Sequence, residues 1–206
     1  NESTGDGAGS IDWTYTVSDG VVDYLGAGES VVQTYTVTVT DDEGTTASQD
    51  VTITINGTND VPTIDVATAS SSVTELADGA AGELTSDLTT TGSIAFADVD
   101  ISDTHTVSVT GGDGVHGALV PSIAAGNEST GDGAGSIDWT YTVSDGVVDY
   151  LGVGDSVVQT YTVTVDDLNG GTASQAVTIT INGTNDAPTI DIATASSSVT
   201  ELADGA

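Results

Sequence analysis

The chain has 206 residues, with 32 Asp and Glu, no Lys or Arg and two His, for a formal charge of −32 at pH 7. Binding to nucleic-acid phosphates or to an anionic membrane surface rests on Lys and Arg, so both partner classes are excluded. There is no Cys, which excludes disulfides, thiolate metal sites and Cys nucleophiles.

In chain order, the opening residues NESTGDGAGS hold neither a basic nor an apolar segment, and no apolar run approaches 18 residues, so neither a signal peptide nor membrane insertion is expected. Residues 31–40, VVQTYTVTVT, alternate with period two and read as a strand ending at Asp41 and Asp42. NGTNDVP at 56–62 joins Asn-Gly and Asn-Asp to a Pro that cannot donate to a ladder, which reads as a linker carrying Asn59 and Asp60. Glu75 follows the first strand after it. GSIAFAD (92–98) and THTVSVT (104–110) alternate again; between them Asp98 and Asp100 share one side of an extended backbone and Asp103 returns after a turn. GGDGVHG at 111–117 starts like a calcium-binding nonapeptide, but His116 stands where the Asp belongs and the motif does not iterate, so it reads as a Gly-rich hairpin loop.

Three more strands are expected at 135–143, 156–165 and 172–181. In the second of them Val157, Gln159, Tyr161, Val163 and Val165 share a face opposite Val158 and threonines, the pattern of one buried and one wet face. Ile137, Trp139, Tyr141 and Val143 make a matching apolar stripe, read as core. Tyr161, following Leu151-Gly-Val-Gly, fits a tyrosine corner. No helical stripe competes. Short, evenly spaced alternating strands predict an all-β fold, an antiparallel β-sandwich of the immunoglobulin type.

Residues 1–80 recur at 127–206, an offset of 126, with 71 of the 80 positions identical. The period is that of a tandem array in which each repeat is a whole domain. Cutting at the Asn-Asp-X-Pro linkers gives a complete repeat at 60–185, the C-terminal half of a preceding repeat at 1–59 and the opening strand or two of the next at 186–206. A domain over 1–126 would instead bury that linker. The offset adds copies of the candidate residues: Asp166 and Asp167 at a strand end, Asn185 and Asp186 in the second linker, and Glu201 beyond it.

Catalysis finds no support. There is no G-x-S-x-G elbow, and Ser and Asp are so abundant that their nearness to His105 or His116 carries no signal. The loop carboxylates are different. Asp98, Asp100 and Asp103 converge with no cation to relieve them, and Ca2+, which takes six to eight oxygen ligands, suits such a set. The candidate metal ligands are therefore Asp98, Asp100 and Asp103, with Asp41, Asp42, Asn59, Asp60 and Glu75 where domains meet, and their copies Asp166, Asp167, Asn185, Asp186 and Glu201.

GSIDWTYTVSDG, LGAGESVVQTYTVTVTDDEG, VTITINGTND with its Pro, VTELADG and FADVDISD together resemble the VCBS repeats of giant RTX-type bacterial surface adhesins, over effectively the whole chain. The linker is also similar to that of cadherins: Asn59 and Asp60 match its N-D pair, Glu75 its acidic residue after the next first strand, and Asp98 and Asp100 its D-x-D, whereas Asp41-Asp42-Glu43-Gly44 is only loosely like D-x-D-G. The resemblance implies an immunoglobulin- or cadherin-like, non-catalytic spacer module of a long secreted adhesin on the cell surface of Gram-negative bacteria, extracellular, supporting adhesion and biofilm formation, with calcium stiffening the joints between neighbouring repeats. It places Asp41, Asp42, Glu75, Asp98 and Asp100 around the first linker, and Asp166, Asp167 and Glu201 around the second. The alternatives are a repeat that itself binds glycan or protein, for which Tyr24 and Tyr150 are the exposed aromatic candidates, and self-association into an extracellular filament or matrix fibre.

Overall fold

Side chains on an extended backbone point alternately to opposite faces, so alternation of Val, Ile and aromatics with Thr and Ser sets most of this chain into strands. In the computed structural model, which describes residues 7–65, 69–188, 190, 197–201 and 204, a hairpin comes first. Its strands β1 (Ser30–Thr40) and β2 (Thr46–Asn56) pair antiparallel along their full lengths as a separate two-stranded sheet. The linker then leads into β3 (Thr63–Ile64), β4 (Ser70–Thr74), β5 (Asp87–Ala97), β6 (Thr106–Gly111), β7 (Ala118–Ser122), β8 (Ala134–Ser144), β9 (Ser156–Asp166) and β10 (Thr172–Asn182), with a single-turn helix α1 (Asp145–Val148) before β9. No helix among the described residues is long and apolar enough to cross a membrane.

The eight strands form two sheets, ordered β4-β10-β9-β6 and β3-β5-β8-β7. Lettered A, A′, B, C, D, E, F and G along the chain, they are the A′GFC and ABED sheets of an immunoglobulin-type sandwich. The expected fold class is the one observed. One pairing departs from the antiparallel rule: β4 runs parallel to β10, from Ser70 opposite Thr178 to Thr74 opposite Asn182. The core lies between the sheets. Ile94, Phe96, Ile137, Trp139, Tyr141 and Val143 project from one, and Tyr161, Val163, Val165, Val177, Ile179 and Ile181 from the other. Each such side chain contributes about 1.5–3 kcal/mol by leaving water.

One strand lay outside the sequence expectation, and the strand expected before Glu75 is divided in two. β7 contains Pro121, which ladder geometry confines to an edge, and β7 is the edge strand beside β8. β3 has two residues, and β4 reads Ser-Ser-Ser-Val-Thr. The tyrosine corner is not formed. Tyr161 sits mid-strand, and its hydroxyl donates 44 residues upstream to the Gly117 carbonyl at 3.2 Å, as Tyr141 donates to the His116 carbonyl at 2.6 Å. Both tyrosines therefore pin the β6–β7 loop instead.

Each strand carries the chain from one end of the sandwich to the other. The linker at 57–62, the β5–β6 loop and the β9–β10 turn lie at one end, the proximal pole. The segment after β4, the β6–β7 loop, α1 and residues 183–186 lie at the distal pole. The chain leaves the distal pole against its own backbone: a Cβ on Gly183 would overlap the Leu151 carbonyl oxygen, and one on Gly57 the Leu25 carbonyl oxygen. Neither carbonyl can rotate away as a side chain can. Gly183→Ala is expected to cost about 1–3 kcal/mol of stability by overpacking, read from urea midpoints; a loss below about 0.5 kcal/mol would show that the linker does not need this close approach.

Candidate metal centres

At the proximal pole, β5 ends at Ala97, just past the buried Phe96, and the following loop turns its acids inward. One carboxylate oxygen from each of Asp98, Asp103 and Asp167 lies within 4.8 Å of the other two, and all three residues are buried. Asp100 is fully buried beside them. The loop is shaped by its own backbone: the Asp100 amide donates to Asp98 Oδ1 at 3.0 Å and the Asp103 amide to the Asp100 carbonyl at 2.9 Å. Asp167 is brought in by the β9–β10 turn, where its Oδ1 accepts from the amides of Asn169 and Gly171, each at 2.8 Å.

The linker closes over this set. The Asp60 amide donates to Asp100 Oδ2 at 2.7 Å, and Asn59 Nδ2 donates to Asp167 Oδ2 at 3.0 Å. The loop at Leu25 and Gly26 touches it from the hairpin side: a Cβ on Gly26 would meet Asp103 Oδ1 at 3.2 Å. Burial pushes the Asp100 carboxyl above its ordinary value; the bond from the Asp60 amide opposes the rise, and the charges of Asp60, Asp98 and Asp103 add to it. Burial likewise raises Asp60, helped by Asp23, Asp98 and Asp19. At Asp167 burial acts upward but is outweighed by hydrogen bonds from Asn59, Asn169, Gly171 and Gly170, which leave it below the ordinary carboxylate value.

The distal pole holds a second set. Oxygens of Glu75, Asp149 and Asp186 lie within 4.8 Å of one another, and Glu75 is buried. Glu75 Oε1 accepts from the Thr184 amide, and Asp186 Oδ1 from the Asp78 amide at 3.1 Å. Behind them Asp145, fully buried at the start of α1, accepts from the amides of Leu76 at 2.7 Å and Leu84 at 2.8 Å, which fixes the segment that carries Glu75. Burial raises Asp149, and the charges of Asp186, Glu83, Asp145 and Glu75 push the same way.

The structure thus brings Asn59, Asp60, Asp98, Asp100 and Asp103 together at one pole, as the linker-plus-loop reading anticipates. Four other placements differ from the expectation. Asp41 and Asp42 sit at the β1–β2 turn, whereas β2 ends at Asn56 beside the linker, so eleven residues of strand, about 35 Å, separate them from Asn59. Asp167 joins the proximal rather than the second linker for the same reason, and Asp166 ends β9 at that pole. Glu75 lies at the distal pole, because β4 carries the chain away from Asn59 before reaching it. Glu201 is exposed and belongs to neither acidic set. Asn185 donates Nδ2 to the Asp186 carbonyl at 3.2 Å and contributes no charge to the distal set. Sequence reading missed Asp149 and Asp145, since SDGVVDY looks like an ordinary turn.

Divalent calcium fits both sets. All the donors are oxygens. Five of the seven buried side-chain polar atoms without a hydrogen-bond partner among the described residues lie in them: Asn59 Oδ1 and Asp100 Oδ1 at the proximal pole, Glu75 Oε2, Asp149 Oδ1 and Thr184 Oγ1 at the distal one. Buried oxygens are normally satisfied, so both sets offer spare acceptors to a cation.

No family model matches the chain, and no curated protein matches it. Among solved structures it is similar to zebrafish RET cadherin-like domains 1 to 4 (13% identity, TM-score 0.36, covering 76% of this chain and 35% of that one). It is likewise similar to mouse clustered PcdhgC3 EC1-3 (14%, TM-score 0.38, 79% and 45%). The third likeness is to BcpA, the major pilin subunit of Bacillus cereus (12%, TM-score 0.35, 72% and 48%). The chain therefore spans less than half the length of each of these, and the fold assignment rests on the strand order described above.

Proposed function

We propose that the chain is a stretch of a tandem array of extracellular immunoglobulin-type repeats of about 126 residues, with calcium stiffening the junctions, and that it serves as a spacer in a secreted bacterial surface adhesin of the VCBS type. The observation that carries this reading is the double engagement of Asp60. Its amide is bonded to Asp100 of the sandwich that follows it, while its carboxylate feels Asp23 and Asp19 of the segment that precedes it. The 126-residue offset turns Asp19, Asp23 and Asp60 into Asp145, Asp149 and Asp186. The distal acids of one repeat are therefore repeated against the proximal acids of the next.

At such a junction Asp23 and Asn59 from the preceding side, and Asp60, Asp98, Asp100, Asp103 and Asp167 from the following side, would hold the ion. Calcium there supplies positive charge that the chain itself lacks. A spacer needs length and solubility rather than a reactive site, and a buried Ser-His-Asp arrangement among the described residues fits that reading. Ser129, His105 and Asp98 are in hydrogen-bond contact, but Ser129 is fully buried, beyond the reach of a substrate.

Small-angle scattering of the whole chain tests the proposal. With millimolar calcium the hairpin segment and the sandwich are expected to hold one relative orientation, and with chelator to sample many. Identical distance distributions in the two conditions would sink the stiffening role.

A further inference from the structure

The three proximal carboxylates each face a side-chain nitrogen at hydrogen-bond distance. His105 Nε2 lies 3.0 Å from Asp98 Oδ2, Asn169 Nδ2 lies 2.9 Å from Asp103 Oδ2, and Asn59 Nδ2 lies 3.0 Å from Asp167 Oδ2. A Lys or Arg in any of these places would fix the carboxylate equally well, but it would also cancel the charge that a bound cation uses. An amide orients without cancelling, and so does an imidazole in its neutral form.

The His105 contact is the most constrained of the three. The imidazole and the Asp98 carboxylate are both excluded from solvent, and the ring tilts against Phe96 with centroids 5.0 Å apart. Its other nitrogen, Nδ1, is 3.2 Å from the hydroxyl of Ser129, itself fully buried. A neutral imidazole has one N–H and one lone pair, and an ionised carboxylate can only accept. The bonds are therefore satisfied together when Nε2–H donates to Asp98 and the Ser129 hydroxyl donates to Nδ1.

We infer that His105, held in this tautomer by Ser129, is a positioning residue for the cation at the proximal pole: it fixes the Asp98 carboxylate so that the oxygens of Asp98, Asp103 and Asp167 stay converged. The inference rests on the calcium reading given above. Groups behind metal-ligating side chains typically change metal affinity by 10–100-fold when removed, and His105 stands in that relation to Asp98.

Calcium titration calorimetry on the full chain, beside His105→Leu, His105→Gln and Ser129→Ala, tests it. The Leu variant, which keeps an apolar body beside Phe96 but has no donor, is expected to weaken the proximal site at least tenfold. The Gln variant, which restores an N–H, is expected to recover most of that loss, and Ser129→Ala to fall between. Long-range 1H–15N spectra of the unmodified chain supply a readout that needs no variant to fold: protonated Nε2, unprotonated Nδ1, and an Nε2 resonance that moves on adding calcium. Unchanged affinity in His105→Leu, a Gln variant as weak as the Leu one, or an Nδ1–H tautomer would each overturn the positioning role while leaving calcium binding intact. A parent chain that takes up no calcium would overturn the metal reading itself, and this inference with it.

Discussion

Calcium is expected to raise the thermal unfolding midpoint of the chain by roughly 10 °C or more, with a chelator returning it to the lower value. An ion that binds only the folded state stabilises it by about 2.7 kcal/mol per site at a hundred times its dissociation constant, and about 1 kcal/mol moves the midpoint of a domain this size by several degrees. Extracellular calcium modules bind near 10⁻⁴–10⁻³ M, so the titration has to reach about 10 mM or beyond. Acid provides the matching control. Asp60, Asp100 and Asp149 are raised above the ordinary carboxylate value in the folded chain, chiefly by burial. For a raised group the contribution to stability is complete below the unfolded value, 3.8, and is lost as pH rises through the folded value. Without calcium, then, acidifying from neutral toward pH 4 should stabilise the fold. Below that, Asp113 and Asp167, both lowered, act in the opposite direction and stability falls again. A calcium-free midpoint that only declines from pH 7 downward would contradict the crowding of like charges at the two poles, and a midpoint indifferent to chelator would remove the metal.

Asp145→Ala is expected to cost roughly 2–6 kcal/mol. The carboxylate accepts from the Leu76 and Leu84 amides in part-buried bonds, and a hydrogen bond to a charged group is worth about 1.5–3 kcal/mol. Asp145→Asn keeps one acceptor and should lie between the two. The chain contains its own control. Asp19 occupies the same sequence, SDGVVDYLG, one period earlier, where the segment forms a 3-10 turn at Asp19–Val21 rather than α1, and its side chain is exposed. Asp19→Ala should change stability by no more than about 0.5 kcal/mol. Urea unfolding of the two variants gives the comparison, and equal losses at both positions would show that the amide anchors at Asp145 are not what holds the distal pole.

Those paired copies also show what a sequence can and cannot reveal. Alternation located β5, β6, β8, β9 and β10 because Val, Ile and aromatics bury on one face, and the inward set of β9, from Gln159 to Val165, emerged as read. Local pattern was not sufficient, however. Residues 10–18 and 136–144 are identical, yet only the second run is a strand, laddered on both sides by β5 and β7, which have no counterparts beside the first among the described residues. A strand was expected before Glu75, but the parallel pairing of β4 there left no local signature, since Ser70 pairs with Thr178. For the acidic residues the types were legible and the grouping was not. Asp41 and Asn59 are separated by one strand, and so are Glu75 and Asp98, which sends the members of each pair to opposite poles. Counting strands between loops would have regrouped them. Asp145 and Asp149 lay beyond any count, since their roles depend on amides 61 to 69 residues upstream and on a linker 37 residues downstream.

The parallel pairing of β4 with β10 has a consequence for a chain under tension. β4 is the first long strand after the proximal linker, and β10 runs directly into the distal one. A force that draws the linkers apart pulls β4 back toward the proximal pole and β10 toward the distal pole. The five residue pairs from Ser70–Thr178 to Thr74–Asn182 are then strained side by side and all at once, along the strand axis, instead of being peeled open one after another. Rupture requires the whole row to give way in a single event. Tension along the strands is thus met by the whole row at once, and each copy of the sandwich in a tandem array would meet it with the same row of bonds.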